Sequence, residues 1–164
     1  MRKERFLHPL HRSAFDIAFR LPGAWKAIRH WYPRPGDQSV DLCLIWTPLE
    51  ARPPVAWRSH GATLLRDDDL GLYLTEHRRD QIMVCPVTPA GLHEDVTDRI
   101  PAPPSVACPR DPARAAWRIT DRVLPHYAAA VTDARRAADG LAVRRRAASL
   151  RPLQAYHPER PRTR

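Results

Sequence analysis

Residues 111–140 read DPARAAWRITDRVLPHYAAAVTDARRAADG, the longest segment of this chain with one clear hydrophobic period. Asp111 predicts the N-cap of a helix, because its carboxylate can accept unpaired backbone amides and the following Pro112 has no amide to leave unpaired. Gly140 predicts the end of that helix, since glycine tolerates the left-handed conformation found there. Residues at steps of three and four share one face: Ala116, Thr120, Val123, Tyr127, Val131, Ala134 and Ala138. The helix would be about 42 Å long, so the rest of the chain is expected to pack against only part of it.

Pro125 interrupts this predicted helix. A proline inside a helix removes one backbone hydrogen bond and clashes with the preceding turn, at a cost of about 3 kcal/mol. It also pushes the residue before it away from helical angles. We therefore expect a kink or a break near residues 122–124. Either one helix bends there, or Pro125 opens a second helix.

The first 36 residues predict two short amphipathic helices. Ser13 is a candidate cap for the first, which includes Phe15 and Phe19. Residues 24–31 form the second and place aromatic side chains along one side. Aromatic side chains at helical spacing are usually core, so we expect these helices to complete the core rather than to lie on a phosphate backbone or a membrane surface.

Residues 38–100 contain the β-prone runs. The predicted strands are residues 40–46 (VDLCLIW), 55–57, 62–65, 70–75 and 81–87 (QIMVCPV), with a further short strand or turn in residues 92–100. The near-continuous apolar run at 40–46 is typical of a central strand, whereas Pro86 indicates an edge or a bulge. The acidic triplet at residues 67–69 is a hairpin turn signal. Short links between the strands exclude parallel pairing, which needs long crossovers.

These elements predict an α+β fold: a small antiparallel sheet of three to five strands, packed by amino-terminal helices and by the long, kinked carboxy-terminal helix. We expect one domain over residues 1–140, with a proline-rich linker at residues 101–110 (PAPPSVACPR) inside it. Residues 141–164 lose the apolar period and predict a basic, disordered tail.

Charge is distributed unevenly along the chain. The net charge is +9, but lysine occurs only twice and asparagine is absent, so part of the arginine excess reflects coding composition. Residues 1–40 carry eight basic and three acidic side chains, residues 41–110 carry seven and ten, and residues 111–164 carry twelve and five. Coding bias alone does not explain an acidic middle between basic ends. This asymmetry is the main functional signal in the sequence.

Three widely spaced cysteines and no long apolar run near the amino terminus predict free thiols and a cytoplasmic protein. No window approaches the roughly 20 apolar residues of a membrane span.

No catalytic or cofactor motif stands out. The acidic triplet predicts a solvated turn rather than a cation site, because three consecutive carboxylates cannot all face one ion. His8 and His11 lack the second close pair of a zinc site, so we expect neither metal nor cofactor. Cys85 predicts a buried small hydrophobe. An enzyme assembled from scattered residues such as His60, Asp41 and His77 remains an alternative.

Arginines supply the candidate binding residues: Arg114, Arg118, Arg122, Arg144, Arg145, Arg146 and Arg151. The first three step by four along the predicted helix, and the others lie in the basic tail. Such a pattern is typical either of phosphate contacts or of a solvated helix face. We expect a small non-enzymatic binding protein that contacts nucleic acid through its basic ends. The main alternative is an accessory subunit whose basic ends meet an acidic protein.

Overall fold

The structure, a computed structural model, describes residues 7–47, 53 and 55–154. Its elements in chain order are α1 (Pro9–Arg20), β1 (Trp25–Trp31), α2 (Pro35–Leu42), β2 (His60–Arg66), β3 (Gly71–Glu76), β4 (Gln81–Val87), α3 (Glu94–Thr97), β5 (Val106–Pro109), α4 (Pro112–Arg122) and α5 (Leu124–Gln154). The five strands form one sheet in the order β1-β2-β3-β4-β5, and every neighbouring pair is antiparallel. The predicted α+β class is confirmed. No helix in the described part of the chain has the length and apolar character needed to cross a bilayer.

The β2–β3 hairpin and strand β4 follow the sequence prediction closely. The acidic triplet forms the turn, where Asp69 adopts a positive φ of 68°. Asp68 accepts two hydrogen bonds from the Arg66 guanidinium, at 2.7 and 2.6 Å. Pro86 lies near the end of β4, beyond Val84, the last residue that β5 pairs with in that direction. Its missing amide therefore removes no bond from that ladder.

Residues 24–31, predicted as a helix, form strand β1 instead. They pair with β2 over seven consecutive positions, from Trp25 opposite Arg66 to Trp31 opposite His60. The aromatic residues fit a helical spacing, but pairing with the exposed edge of β2 satisfies the backbone donors and acceptors of both strands. The pairing with β2, which is distant in sequence, therefore decided the conformation against the helical spacing of the aromatic residues.

Residues 40–46, predicted as the central strand, contain the end of α2, a turn and a single bridge between Ile45 and Val87. Pro35 at the start of α2 and Asp37, whose carboxylate accepts from the Arg34 amide at 3.0 Å, favour helix formation here. As a result Val40 is 69% exposed despite its strand propensity.

Two smaller predictions in the middle of the chain were also wrong, and a third had left two alternatives open. Residues 55–57 form no strand. Of the strand or turn predicted in residues 92–100, the turn is found, as the short helical element α3. The proline-rich linker at 101–110 contains β5, which pairs with Gln81–Val84 of β4. Its prolines lie before the strand or at its last residue, so they do not prevent this short edge pairing.

The long carboxy-terminal segment consists of two helices. α4 ends at Arg122, and α5 begins at Leu124 with Pro125 in its first turn, so the second of the two alternatives holds. Gly140 lies inside α5, and the expected helix end there was wrong. Residues 141–154, predicted as part of a disordered tail, continue α5. Residues 155–164 lie outside the described residues.

Two clusters of buried side chains hold the layers together. The larger joins α1, α4 and the first part of α5 to one face of the sheet, and its fully buried members include Leu10, Ile17, Leu72, Ile119 and Tyr127. Each such aliphatic side chain contributes about 1.5–3 kcal/mol on burial. The smaller cluster, on the opposite face, consists of Tyr32, Ile45, Tyr73, Met83 and Cys85. Helices therefore cover the main face, and α2 with its following turn covers part of the other.

Candidate functional site

The exposed face of α4 carries the first group of predicted arginines. Arg114 is exposed, and its amide donates to the Asp111 N-cap at 2.8 Å. Arg118 is half-buried and donates to the Ala107 carbonyl of β5 at 2.8 Å. Arg122 lies 3.4 Å from the neighbouring Asp121 carboxylate and is mostly exposed. Arg114 and Arg118 therefore share one surface and form no ion pair with the acidic side chains that the structure describes, whereas Arg122 lies beside Asp121.

Trp117 lies between Arg114 and Arg118 on α4 and is 65% exposed. An open groove of about 440 Å³ is lined by Pro109, Ala113, Arg114, Trp117 and Arg118. A second open groove of about 480 Å³ is lined by Phe19, Arg20, Ala113, Ala116, Trp117 and Thr120. Trp117 therefore contributes to both grooves, together with Ala113.

Helix α1 contributes Phe19 and Arg20 to the lining of the second groove. Its residues Leu10, Ala14 and Ile17 are fully buried against the core, which turns Phe19 and Arg20 outward at the carboxyl end. The Phe19 ring is 91% exposed. We call Phe19, Arg20, Arg114, Trp117 and Arg118 the aromatic–arginine surface.

Sequence reasoning identified only the two α4 arginines of this surface. Phe19 was expected in an amphipathic helix that completes the core, but it lies outside it. Trp117 was not singled out, although it is out of phase with the buried positions Ala116 and Ile119 of the same helix. A large aromatic residue off the apolar stripe was the signal that could have found it.

The second group of predicted arginines lies on the distal part of α5. Every described side chain from Ala142 to Ser149 is exposed, including Arg144, Arg145 and Arg146. Residues 142–154 extend about 20 Å as a helix. Arg145 lies 3.5 Å from Asp95 of α3. Arg151 lies on the same helix, but its side chain is outside the described residues.

The two basic ends of the sequence converge only in part. Arg20 of α1 and the α4 arginines line neighbouring grooves, whereas Arg145 contacts α3. Among the described residues, no hydrogen bond or ion pair joins the α5 arginines to the aromatic–arginine surface.

The scattered residues of the enzyme alternative have separate surroundings. His60 stacks on His8, the N-cap residue of α1, with ring centroids 3.8 Å apart. Asp41 accepts a 2.5 Å hydrogen bond from Tyr32 on the face that α2 covers. His77 lines a cavity at the β3–β4 turn. No contact in the described structure brings these three side chains together.

His8, His11 and His60 form a cluster where α1 meets β2. The His11 Nε2 atom lies 3.1 Å from the carbonyls of both His30 and Gly61, so it donates to them. Burial, together with the neighbouring imidazoles, lowers the pKa of His8 and of His60. Within the described residues, no group of three His, Cys, Asp or Glu side chains has an arrangement that could hold a metal ion.

A polar network on the opposite face was not predicted, because its strand and helix were assigned wrongly. The His30 Nε2 atom lies 2.8 Å from the Thr63 hydroxyl, and its Nδ1 atom lies 3.7 Å from Asp41. The latter distance is too long for a hydrogen bond. Burial lowers the pKa of His30, although Asp41 opposes this shift. Burial, followed by the bond to Asp41, raises the pKa of Tyr32 far above its usual range.

The cysteines offer no activated nucleophile among the buried positions. Burial raises the pKa of the Cys85 thiol and of the Cys108 thiol to about 11. The prediction of Cys85 as a buried small residue is confirmed.

Comparison with protein-family models, with curated proteins and with solved structures found no match.

Proposed function

We propose that this protein is a non-enzymatic binding protein that holds single-stranded nucleic acid on the aromatic–arginine surface. The observation that supports the proposal is the position of Trp117, which is 65% exposed, lines one groove with Arg114 and Arg118, and lines a second groove with Phe19 and Arg20. Proteins that bind single strands combine aromatic faces, on which bases stack, with cationic side chains along the backbone.

The chemistry of the surface distinguishes single strands from duplexes. Trp117 and Phe19 offer aromatic faces to unstacked bases, and a duplex keeps its bases stacked inside. Arg20, Arg114 and Arg118 can donate to phosphate oxygens, and the net charge of +9 favours polyanions in general. Neither groove is lined by an acidic side chain. Base contacts by stacking alone tolerate any sequence, so we expect little sequence preference.

The distal part of α5 would contribute charge rather than stacking. Arg144, Arg145 and Arg146 are exposed, and residues 140–154 contain no acidic side chain. A basic helix of this kind contacts phosphates without reading sequence. Under this proposal the protein acts in the cytoplasm, whose reducing conditions keep its three free cysteines as thiols.

An acidic protein partner is the second candidate, because exposed aromatic and arginine side chains also form protein interfaces. Under that hypothesis the parent protein would not bind oligonucleotides, and the same variants would weaken its complex with the acidic protein.

Fluorescence anisotropy with labelled single-stranded DNA, single-stranded RNA and duplex DNA tests the proposal. Trp117→Ala should weaken single-strand binding about 5- to 150-fold, since a stacked base is worth about 1–3 kcal/mol. Arg114→Gln/Arg118→Gln should reduce the slope of log affinity against log salt by about 0.7 per lost contact.

Two control variants match these changes. Trp31→Ala removes another exposed tryptophan that lines neither groove, and Arg99→Gln/Arg136→Gln removes two exposed charges elsewhere. Both control variants should bind single strands as tightly as the parent protein does. Absence of single-strand binding by the full chain at low salt would rule out the proposal, and so would equal losses in the test and control variants.

A further inference from the structure

A second polar cavity, separate from the aromatic–arginine surface, lies at the turn that joins β3 to β4. Its volume is about 260 Å³, and its lining is almost entirely charged: Arg58, Glu76, His77, Arg78, Arg79 and Arg110. Residues from three distant parts of the sequence meet here, because the antiparallel pairing places the carboxyl ends of β3 and β5 and the segment before β2 at the same end of the sheet.

Two of the four arginines are held in place by the fold. Arg58 donates through Nη1 to the Trp57 carbonyl at 3.0 Å and through Nη2 to the His77 carbonyl at 3.2 Å. Its backbone amide donates to the fully buried Gln38 side chain at 3.0 Å. The position of this guanidinium is therefore set before any ligand arrives, which lowers the entropy cost of binding.

Arg110 is held on the other wall. Its Nη2 atom donates to Glu76 at 2.9 Å, and both side chains are about one-third exposed. Its backbone amide donates to the Asp80 carbonyl at 3.0 Å. The Nε atom is buried and has no hydrogen-bond partner among the described residues. Glu76 thus satisfies only part of this guanidinium.

The charges in the cavity are unbalanced. Four guanidinium groups, which stay protonated at any physiological pH, face one carboxylate. Arg58 and Arg110 are partly removed from water, where an unmatched charge is costly and an anion is correspondingly favoured. Arg78 and Arg79 are exposed on the turn and free to move towards an incoming anion. A ligand with two negative charges and several acceptor oxygens would complement this arrangement.

We propose that this cavity binds a phosphate monoester group. Such a group carries up to two negative charges and three terminal oxygens, which match the paired N–H donors of arginine. The phosphate can belong to a small metabolite or to the terminus of a nucleic-acid strand. The inference does not rest on the proposed function, because none of the six lining residues belongs to the aromatic–arginine surface.

Isothermal titration calorimetry of the full chain with inorganic phosphate at pH 8 tests this site. We expect saturable binding with a dissociation constant of about 1 mM or lower. Arg78→Gln/Arg79→Gln should weaken it about tenfold or more, since each hydrogen bond to a charged group contributes substantially. These side chains are exposed on a turn, so the variant should fold. The control Arg99→Gln/Arg136→Gln loses the same charge elsewhere and should bind within about twofold of the parent.

Arg58→Lys keeps the charge but loses the planar fork, and should also weaken phosphate binding while circular dichroism stays unchanged. A pair of single strands that differ only in a 5′-phosphate or a 5′-hydroxyl identifies the source of the group. If the phosphorylated strand binds more tightly and loses that advantage in Arg78→Gln/Arg79→Gln, the site takes a strand terminus. If both strands bind alike while inorganic phosphate still binds, the site takes a small phosphorylated molecule.

The inference is overturned if the full chain shows no saturable phosphate binding at low salt. It is also overturned if the turn variant and the control variant lose affinity equally, because binding would then reflect net charge alone. Loss of strand binding in Trp117→Ala bears only on the aromatic–arginine surface, so the two proposals fail independently.

Discussion

The hydroxyl of Tyr127 accepts a hydrogen bond from the backbone amide of Gly71 at 3.0 Å and donates to the carbonyl of Val87. Gly71 and Val87 face each other at the end of the β3–β4 ladder. A side chain of α5 therefore bridges the last pair of the sheet and links the carboxy-terminal helix to it. Burial raises the pKa of Tyr127 to about 12, so the phenol remains a donor at neutral pH.

Tyr127→Phe should lower the free energy of unfolding by about 1–3 kcal/mol, because the change leaves a buried amide and a carbonyl without their partner. Urea denaturation followed by circular dichroism measures the change. An unaltered unfolding midpoint would show that the hydroxyl bridge contributes nothing to stability.

Asp69 is the turn residue with a positive φ, a conformation that costs an ordinary side chain about 1–2 kcal/mol. Asp69→Gly should preserve or raise the melting temperature, whereas Asp69→Val should lower it. We also expect that Asn-Gly-Asn can replace residues 67–69 without loss of the fold, because turn propensity survives the loss of charge. Equal melting temperatures for the Gly and Val variants would contradict the assigned turn geometry.

Pro125 lies in the first turn of α5, where a backbone amide has no intrahelical partner in any case. Pro125→Ala restores no hydrogen bond and makes the unfolded chain more flexible. It should therefore leave stability unchanged or lower it by up to about 1 kcal/mol. A higher melting temperature in differential scanning calorimetry would instead indicate one continuous helix.

The stacked pair His8 and His60 should make stability depend on pH. Burial lowers the pKa of both imidazoles below the ordinary 6.5, so the unfolded chain binds protons at a higher pH than the folded one. Stability should be fully present above pH 6.5 and fall as the pH decreases below it. The flanking charges act in opposite directions, since Glu76 raises and Arg110 lowers the pKa of His8.

His60→Gln tests this pH dependence, because it removes one titrating ring and keeps a polar side chain. The urea midpoint of the variant should change less between pH 7.5 and pH 5.5 than that of the parent, whatever its absolute stability. An identical pH dependence would exclude His60 as a source of the effect.

Deletion of residues 144–164 should leave the melting temperature unchanged and should lower the helical circular dichroism signal only by the end of α5 that it removes. The described side chains of this segment are all exposed, and the pair of Arg145 with Asp95 is an exposed ion pair of little value. The deletion should reduce the salt dependence of nucleic-acid binding, since seven arginines and one acidic residue are lost. Unchanged binding would remove this segment from the interface.

Local patterns predicted the parts of the fold that depend on neighbours in sequence. The β2–β3 hairpin, strand β4 and the helix break before Pro125 all follow from turn residues, strand propensity or the missing proline amide. Residues 24–31 and 40–46 were assigned wrongly, since aromatic and β-branched residues there fit either helix or strand. Pairing with β2 decided the first segment, and the capped start of α2 with its contacts to the sheet decided the second.

The candidate sites divide in the same way. Composition and spacing alone determined that the chain is basic at both ends, that α4 carries arginines on its outer face and that the acidic triplet is a turn. Only the tertiary structure decided that Phe19 and Trp117 line one groove, and that Arg58, Arg78 and Arg110 line one cavity. Helix period and turn propensity act over a few residues, whereas these groupings arise where elements distant in sequence pack together to bury a shared apolar core.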